Sequence, residues 1–318
     1  MTISGSTKVV GLFGDPVEHT LSPRMQNAAF RNAGLDFCYV PFHVAPTQLG
    51  AAVAAVRALG LAGVNVTIPH KVAALDFVDE VAEEARRVGA INTVVNRDGW
   101  LVGHNTDVFG VLEALHAEAG EDPAGKKAVV IGAGGAARAC VFALADRGAG
   151  EVMILNRTLE RAESLARDFD GEARTGVASA VRVVAGPLTP AEVRKRATEA
   201  DFFINASSLG LRDDGGGSLA ESPFGSLFED LSFLRPWCVV CDLVYRPGGT
   251  PLVRRAKTRG LRAVDGLSVL IYQGARSFEL WTGREAPVAV MKEALVGGEA
   301  GDAAAAGRVT GKAAGGGE

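Results

Sequence analysis

The residues Lys126-Lys-Ala-Val-Val-Ile-Gly-Ala-Gly-Gly-Ala-Ala137 say more about this chain's architecture than any other segment. A run of branched apolar residues, fit for a buried strand, breaks into Gly132-x-Gly134-x-x-Ala137, and a helical pattern continues through Ala145. Alone, the glycine spacing is a weak signal. Its setting gives it a mechanism. Gly132 permits a sharp turn, Gly134 lets backbone amides approach an anion, and the helix opening near Gly135 aims its N–H groups and positive dipole end at that anion. The expectation is a dinucleotide pyrophosphate on a Rossmann-like, doubly wound α/β unit.

The following strand indicates which dinucleotide. A unit that takes NAD usually ends this strand in Asp or Glu, which accepts hydrogen bonds from a ribose hydroxyl. Here Val152-Met-Ile-Leu155 runs into Asn156-Arg157-Thr158, with Arg161 one helical turn later. Two guanidiniums suit a 2′-phosphate, and one of them can stack on an adenine face. NADP is therefore the expected cofactor. Residues 151–155, 181–184, 201–205 and 239–244 supply further strands of the same sheet, with helical patterns before most of them.

Working toward the amino terminus, residues 119–125 are polar and glycine-containing, a plausible crossing between two halves. Before them, 9–13, 39–44 and 64–68 read as strands, and 23–33 and 47–59 as amphipathic helices. Strands alternating with helices imply a second, mostly parallel sheet. At its strand ends stand His19-Thr20-Leu-Ser22-Pro23, Thr67 and Lys71, Asn92-Thr93, and Asn105-Thr106-Asp107. Taken alone, Thr20 or Ser22 reads as a helix N-cap with Pro23 behind it. Gathered at one sheet edge, hydroxyl, amide, ammonium and carboxylate groups suit a small polyol acid.

The 318 residues suffice for two domains. A net charge of -4 argues against a nucleic-acid partner, and no uncharged apolar run reaches membrane-spanning length. The opening residues lack the apolar core of a secretory signal, so the cytoplasm is the expected address. Cys238-Val-Val-Cys241 reads as buried strand and not as a metal site; no metal is implied. From Gly297 the composition falls to Gly, Ala and scattered charge, and disorder is expected over 297–318.

Taken in order, Gly14-Asp-Pro-Val17, His19-Thr-Leu-Ser-Pro23, Asn65-Val-Thr-Ile-Pro-His-Lys71, Ala90-Ile-Asn-Thr93 and Gly103-His-Asn-Thr-Asp107 form a specific series. It continues with Gly132-Ala-Gly-Gly-Ala136, Asn156-Arg-Thr158, Asn205-Ala-Ser-Ser-Leu-Gly210, Asp242-Leu-Val-Tyr245 and Gln273 before Phe278-Glu-Leu-Trp-Thr-Gly283. From about Lys8 to Leu295 the chain resembles the shikimate dehydrogenase family. The resemblance implies NADPH-dependent reduction of 3-dehydroshikimate to shikimate, in chorismate and aromatic amino-acid biosynthesis. It implies a substrate-binding domain over 1–107 completed by helices at 271–296, and an NADP domain over 108–270. Lys71 and Asp107 look like the catalytic pair; being 36 positions apart, their adjacency is implied by the family and not by spacing. Thr67, Asn92, Asp107 and Gln273 look like the residues that hold ring hydroxyls, Thr20 and Ser22 like those at the substrate carboxylate, and Tyr245 like an active-site tyrosine. Gly132, Ala133, Gly134, Gly135, Ala136, Asn156, Arg157, Thr158, Arg161 and Gly266 look like the NADP cradle. A small-molecule substrate and a monomer or homodimer are expected.

The residue types fit the chemistry. Ketone reduction needs hydride on carbon and a proton on oxygen, and an ammonium can hydrogen-bond the carbonyl and stabilise the developing alkoxide. Two positions depart from the family pattern. Threonine replaces serine at Thr20, narrowing the pocket by a methyl group, and Ser268-Val269 replaces the more usual glycine and methionine. Quinate or an amino-substituted shikimate are therefore alternative substrates. A non-catalytic nucleotide sensor would have lost Lys71 or Asp107, and a folate-type dehydrogenase leaves the hydroxyl-binding positions unexplained.

Overall fold

The computed structural model describes residues 2–171, 180–210, 230–246 and 248–296; the tail over 297–318, expected to be disordered, lies outside the described residues. Two six-stranded sheets organise the chain.

The first holds β1 (Lys8–Gly14), β2 (Phe37–His43), β3 (Gly63–Val66), β4 (Glu80–Val81), β5 (Thr93–Arg97) and β6 (Trp100–His104), in the order β2-β1-β3-β5-β6-β4. Strand β1 is parallel to β2 and β3, and β4 to β6. β5 runs antiparallel to both its neighbours. The antiparallel element is a hairpin turned by Asp98-Gly99, at φ +52° and +92°. Both central residues at positive φ make a turn whose twist matches that of the strands it joins. β3 ends at Val66, so Thr67 and Ile68, read from sequence as strand, belong to the turn that follows.

Helices α1 (Ser22–Asn32), α2 (Leu49–Ala58) and α3 (Glu83–Val88) flank this sheet. The amphipathic spacing of α1 brings Met25, Ala29 and Phe30 into one buried cluster with Val10 and Leu12 of β1. The same cluster takes in Phe278, Met291 and Leu295 from the two last helices, α9 (Gly266–Thr282) and α10 (Val288–Val296). The chain's C-terminal end thus packs back onto its beginning. Phe30 lies 5.1 Å from Phe37 and 5.3 Å from Phe278, centroid to centroid. Burying a ring of this size contributes about 1.5–3 kcal/mol. The N-cap position of α1 is Leu21 and not Thr20 or Ser22; Thr20 Oγ1 accepts from the Ser22 N–H at 3.3 Å from one residue outside it.

The second sheet is wholly parallel and ordered β12-β11-β10-β7-β8-β9. Its strands are β7 (Lys127–Ile131), β8 (Glu151–Asn156), β9 (Arg182–Pro187), β10 (Phe202–Asn205), β11 (Val239–Asp242) and β12 (Arg262–Val264). Helices α4 (Asp107–Ala119), α5 (Gly135–Asp146), α6 (Leu159–Phe169), α7 (Pro190–Ala197) and α8 (Pro251–Thr258) connect and cover them. Helices on both faces explain why β7 and β10 read as continuous apolar runs. The direction of winding reverses at β7, between β8 and β10, and such a switch point opens a crevice at the strands' carboxyl ends. Cys238 and Cys241 are buried free thiols beside and within β11, and burial pushes Cys238 up to about 12. Among the described residues, no helix is long and apolar enough to cross a membrane.

Candidate active site

Three separate turns meet at one end of the first sheet. The chain leaves β3 at Val66, turns, and presents Lys71. Because β5 is antiparallel to β3, pairing Thr93 with Asn65, Asn92 at its amino end lands beside the carboxyl end of β3. Sequence placed Asn92 at a strand's end; it stands at a strand's start, and the reversed direction brings it to the same edge. Strand β6 then runs into α4, whose first residue is Asp107. A carboxylate there gains from the helix dipole.

The side chains join. Lys71 Nζ donates to Asp107 Oδ2 at 2.6 Å, and both side chains are nearly buried, at 13% and 12% exposure. Asn92 Nδ2 donates to Asp107 Oδ1 at 2.8 Å and to Gln273 Oε1 at 3.2 Å. Asn92 Oδ1 accepts from the Thr106 N–H at 2.7 Å. An ion pair so enclosed is costly to break from one side, because the remaining charge stays buried without a partner. Lys71, Asn92, Asp107 and Gln273 therefore form one constellation. Thr67 stands apart from it: its methyl group lies against Gly14, and its hydroxyl makes no hydrogen bond among the described residues.

A second cluster surrounds the start of α1. Tyr245 is buried near the Thr20 hydroxyl and Tyr39 near that of Ser22. Burial raises both phenols above their ordinary range, and these hydroxyls only partly oppose it. Tyr39 Oη donates to Asn65 Oδ1 at 2.8 Å, and Asn65 Nδ2 donates to Thr93 and Ser277, each at 3.0 Å. Ser277 and Thr106 hydroxyls are 3.1 Å apart. A continuous hydrogen-bonded path thus joins Tyr39 to Lys71, through Asn65, Ser277, Thr106, Asn92 and Asp107. Thr93 and Thr106 stood among the polar strand-end residues read from sequence, without a role; Tyr39, Asn65 and Ser277 were not singled out. Asn65 did leave a signal, a polar residue inside a fully buried strand; Ser277, one turn after Gln273, left only helical spacing.

The glycine turn follows β7, at the switch point. Gly132 has φ +114°, and a side chain there would meet the backbone of Ala206 at 2.9 Å. Both facts demand glycine. Nothing lies within 4 Å of a side chain built at Gly134, so the space before α5 is open. Ala133 and Ala136 flank it, half-buried, and Ala137 is fully buried where α5 seats on the sheet. Gly135 faces the other way: a Cβ there would lie 3.0 Å from Lys71 Cβ. The lysine stem therefore rests on the glycine turn, bringing the two sites together.

Beyond β8, Asn156 Nδ2 donates to the Thr158 carbonyl at 2.8 Å, holding the turn that leads into α6. Arg157, Thr158 and Arg161 are exposed there, and among the described residues neither arginine forms an ion pair. Open glycine turn, helix N-terminus and two uncommitted guanidiniums fit a dinucleotide carrying a 2′-phosphate. Gly266 begins α9, where a Cβ would collide with the Val244 carbonyl oxygen. Ser268, one of the two departures, donates to Glu118 of α4 at 3.1 Å.

Known proteins share this plan. Models of the shikimate dehydrogenase substrate-binding domain, of shikimate/quinate 5-dehydrogenase and of the shikimate 5′-dehydrogenase C-terminal domain match residues 12–94, 114–207 and 266–296. A shikimate dehydrogenase (NADP(+)) of Desulforamulus reducens is 46% identical over 293 residues, 92% of this chain and 96% of that one. The Thermus thermophilus shikimate 5-dehydrogenase, solved with NADP(H) and shikimate, is 38% identical with a TM-score of 0.75, covering 90% of this chain and 98% of that one. The Listeria monocytogenes enzyme, solved with shikimate and NAD, is 36% identical with a TM-score of 0.79, over 93% and 98%.

Proposed function

The chain belongs to the shikimate dehydrogenase family, and from that premise we propose how its residues carry the reversible, NADPH-dependent reduction of 3-dehydroshikimate to shikimate. The observation that carries the reading is the Lys71–Asp107 pair, 2.6 Å apart and seated on the glycine turn.

NADPH supplies the hydride. The Lys71 ammonium hydrogen-bonds the substrate carbonyl and stabilises the negative charge that grows on its oxygen. Asp107 orients that ammonium and accepts a hydrogen bond from the neighbouring ring hydroxyl. Asn92 and Gln273, already bonded to one another, fix the remaining hydroxyls, with Thr67 at the rim of the pocket. Thr20 and Ser22 take the substrate carboxylate, and Tyr245 closes over it from the second sheet. The backbone of Gly132, Ala133, Gly134, Gly135 and Ala136 cradles the pyrophosphate. Asn156, Arg157, Thr158 and Arg161 hold the phosphorylated ribose, and Gly266 keeps the opposite wall clear.

Residues 1–107 with 271–296 form the substrate domain in this reading, and 108–270 the NADP domain. The first sheet closing at His104 and the second opening at Lys127 support the division. A cytoplasmic monomer or homodimer follows as the expected form, to be checked by light scattering. The test of function is a two-by-two assay, shikimate or quinate with NADP or NAD. Shikimate with NADP is expected to give the highest kcat/KM; quinate or NAD ahead would reject the assignment.

A further inference from the structure

Two loops stand side by side at the carboxyl ends of neighbouring strands: 206–210 after β10, and the turn after β11, described at 243–246 and 248–250. One buried carboxylate joins them. Asp242 ends β11 at 1% exposure. Its Oδ1 accepts from Asn205 Nδ2 at 2.9 Å and from the Val244 N–H at 3.0 Å, and its Oδ2 accepts from Thr250 Oγ1 at 2.6 Å. Asn205 passes the connection on, its Oδ1 accepting from Ser207 Oγ at 2.7 Å and its Nδ2 also donating to the Leu209 carbonyl at 3.0 Å. Ala206 in turn abuts Gly132, and Val244 abuts Gly266, next to Tyr245.

The direction of the crevice makes this placement informative. The guanidiniums of Arg157 and Arg161 follow β8, on one side of the switch strand β7. A dinucleotide whose phosphorylated ribose sits there and whose pyrophosphate lies on the glycine turn must extend its other half over β10 and β11. Lys71, resting on Gly135, waits on that path.

We propose that Asp242 is a positioning residue whose three hydrogen bonds set loop 206–210 and residues 243–246 and 248–250 as the wall for the nicotinamide half of NADP(H). The inference rests on the cofactor reading given above. It assigns to Asn205, Asp242 and Thr250 a role that no substrate contact supplies.

Binding measurements separate the two halves of the cofactor. Asp242→Ala removes the shared acceptor, Thr250→Val removes one donor at nearly constant volume, and Thr250→Ser keeps it. Each is titrated calorimetrically with NADPH and with adenosine 2′,5′-bisphosphate, which carries only the phosphorylated adenosine half. Asp242→Ala is expected to weaken NADPH at least tenfold and Thr250→Val about threefold, with the bisphosphate within twofold of wild type and Thr250→Ser near wild type for both. If Asp242→Ala does not fold, Thr250→Val decides. Unchanged NADPH affinity, or equal loss of both ligands, overturns the proposal. Because no substrate is added, wild-type protein that binds NADPH without oxidising shikimate would reject the activity, and the ratio of the two affinities would still decide the role of Asp242.

Discussion

The glycine turn and the lysine–carboxylate pair touch, Gly135 against Lys71, yet the two regions are built by opposite means. The turn uses consecutive residues, and its chemistry lies in backbone amides aimed by a helix terminus. The pair uses residues from distant parts of the chain, Lys71 with Asp107 at a separation of 36 positions and Asn92 with Gln273 at 181. A region made of backbone tolerates most side-chain changes apart from those at glycines with forced geometry. A region made of side chains concentrates its chemistry in a few atoms.

Four measurements press on that contrast. Lys71→Ala attacks the side-chain region where it is thinnest: kcat is expected to fall about 10³-fold, the middle of the range for a positioned proton-handling group. NADPH affinity by titration should stay within about twofold, since charged-group losses are local. A variant with near-normal turnover would remove Lys71 from the chemistry.

Arg157→Ala tests a side-chain contribution on the cofactor side. One charge-assisted contact is worth roughly 1.5–3 kcal/mol, so KM for NADPH should rise about 10- to 100-fold. KM for NADH, which lacks the phosphate, should stay put; a parallel rise would place Arg157 on a feature common to both dinucleotides.

A smaller effect reads the wall between the regions through pH. Burial raises the Asp242 carboxyl from 3.8 to about 7, and the bonds from Thr250, Val244 and Asn205 only partly oppose that push, to which neighbouring Asp265 adds. In the unfolded chain the group ionises near its ordinary value, so its contribution to stability is complete at low pH and drains away as pH rises toward 7. The loss is about tenfold in the folding equilibrium per pH unit within that window. Thermal melts at pH 5 and pH 8 should show wild type losing more stability than Asp242→Asn over the interval. Identical losses would mean that Asp242 titrates normally.

The least effect belongs to Ser268→Ala. Its hydroxyl is spent on an exposed contact with Glu118, so melting and kinetics should shift by no more than about 0.5 kcal/mol. A marked rise in KM for either ligand would bring this departure from the family pattern back into the site.

Legibility followed the same divide. Strands β7, β8, β10 and β11 and the helix after the glycine turn stood out because apolar runs and glycine spacing are local properties. The Asp98-Gly99 hairpin was legible too, by its turn dipeptide, but went unread, and with it the reversed direction of β5. Lys71 and Asp107 were reached through a resemblance and not through spacing. Tyr39 and Ser277 were missed because nothing nearby in sequence marks a hydroxyl as a link in a path.

By itself, then, the sequence determined two α/β units, a nucleotide turn and a preference for a phosphorylated ribose, since backbone geometry and hydrophobic period are written within a dozen residues. Only the tertiary structure decided which polar side chains meet. Sheet register put Asn65 beside Thr93, the antiparallel course of β5 delivered Asn92 to Asp107, and the packing of α9 against the first sheet brought in Gln273 and Ser277. Those meetings depend on distances between remote segments, and a linear pattern does not encode distance.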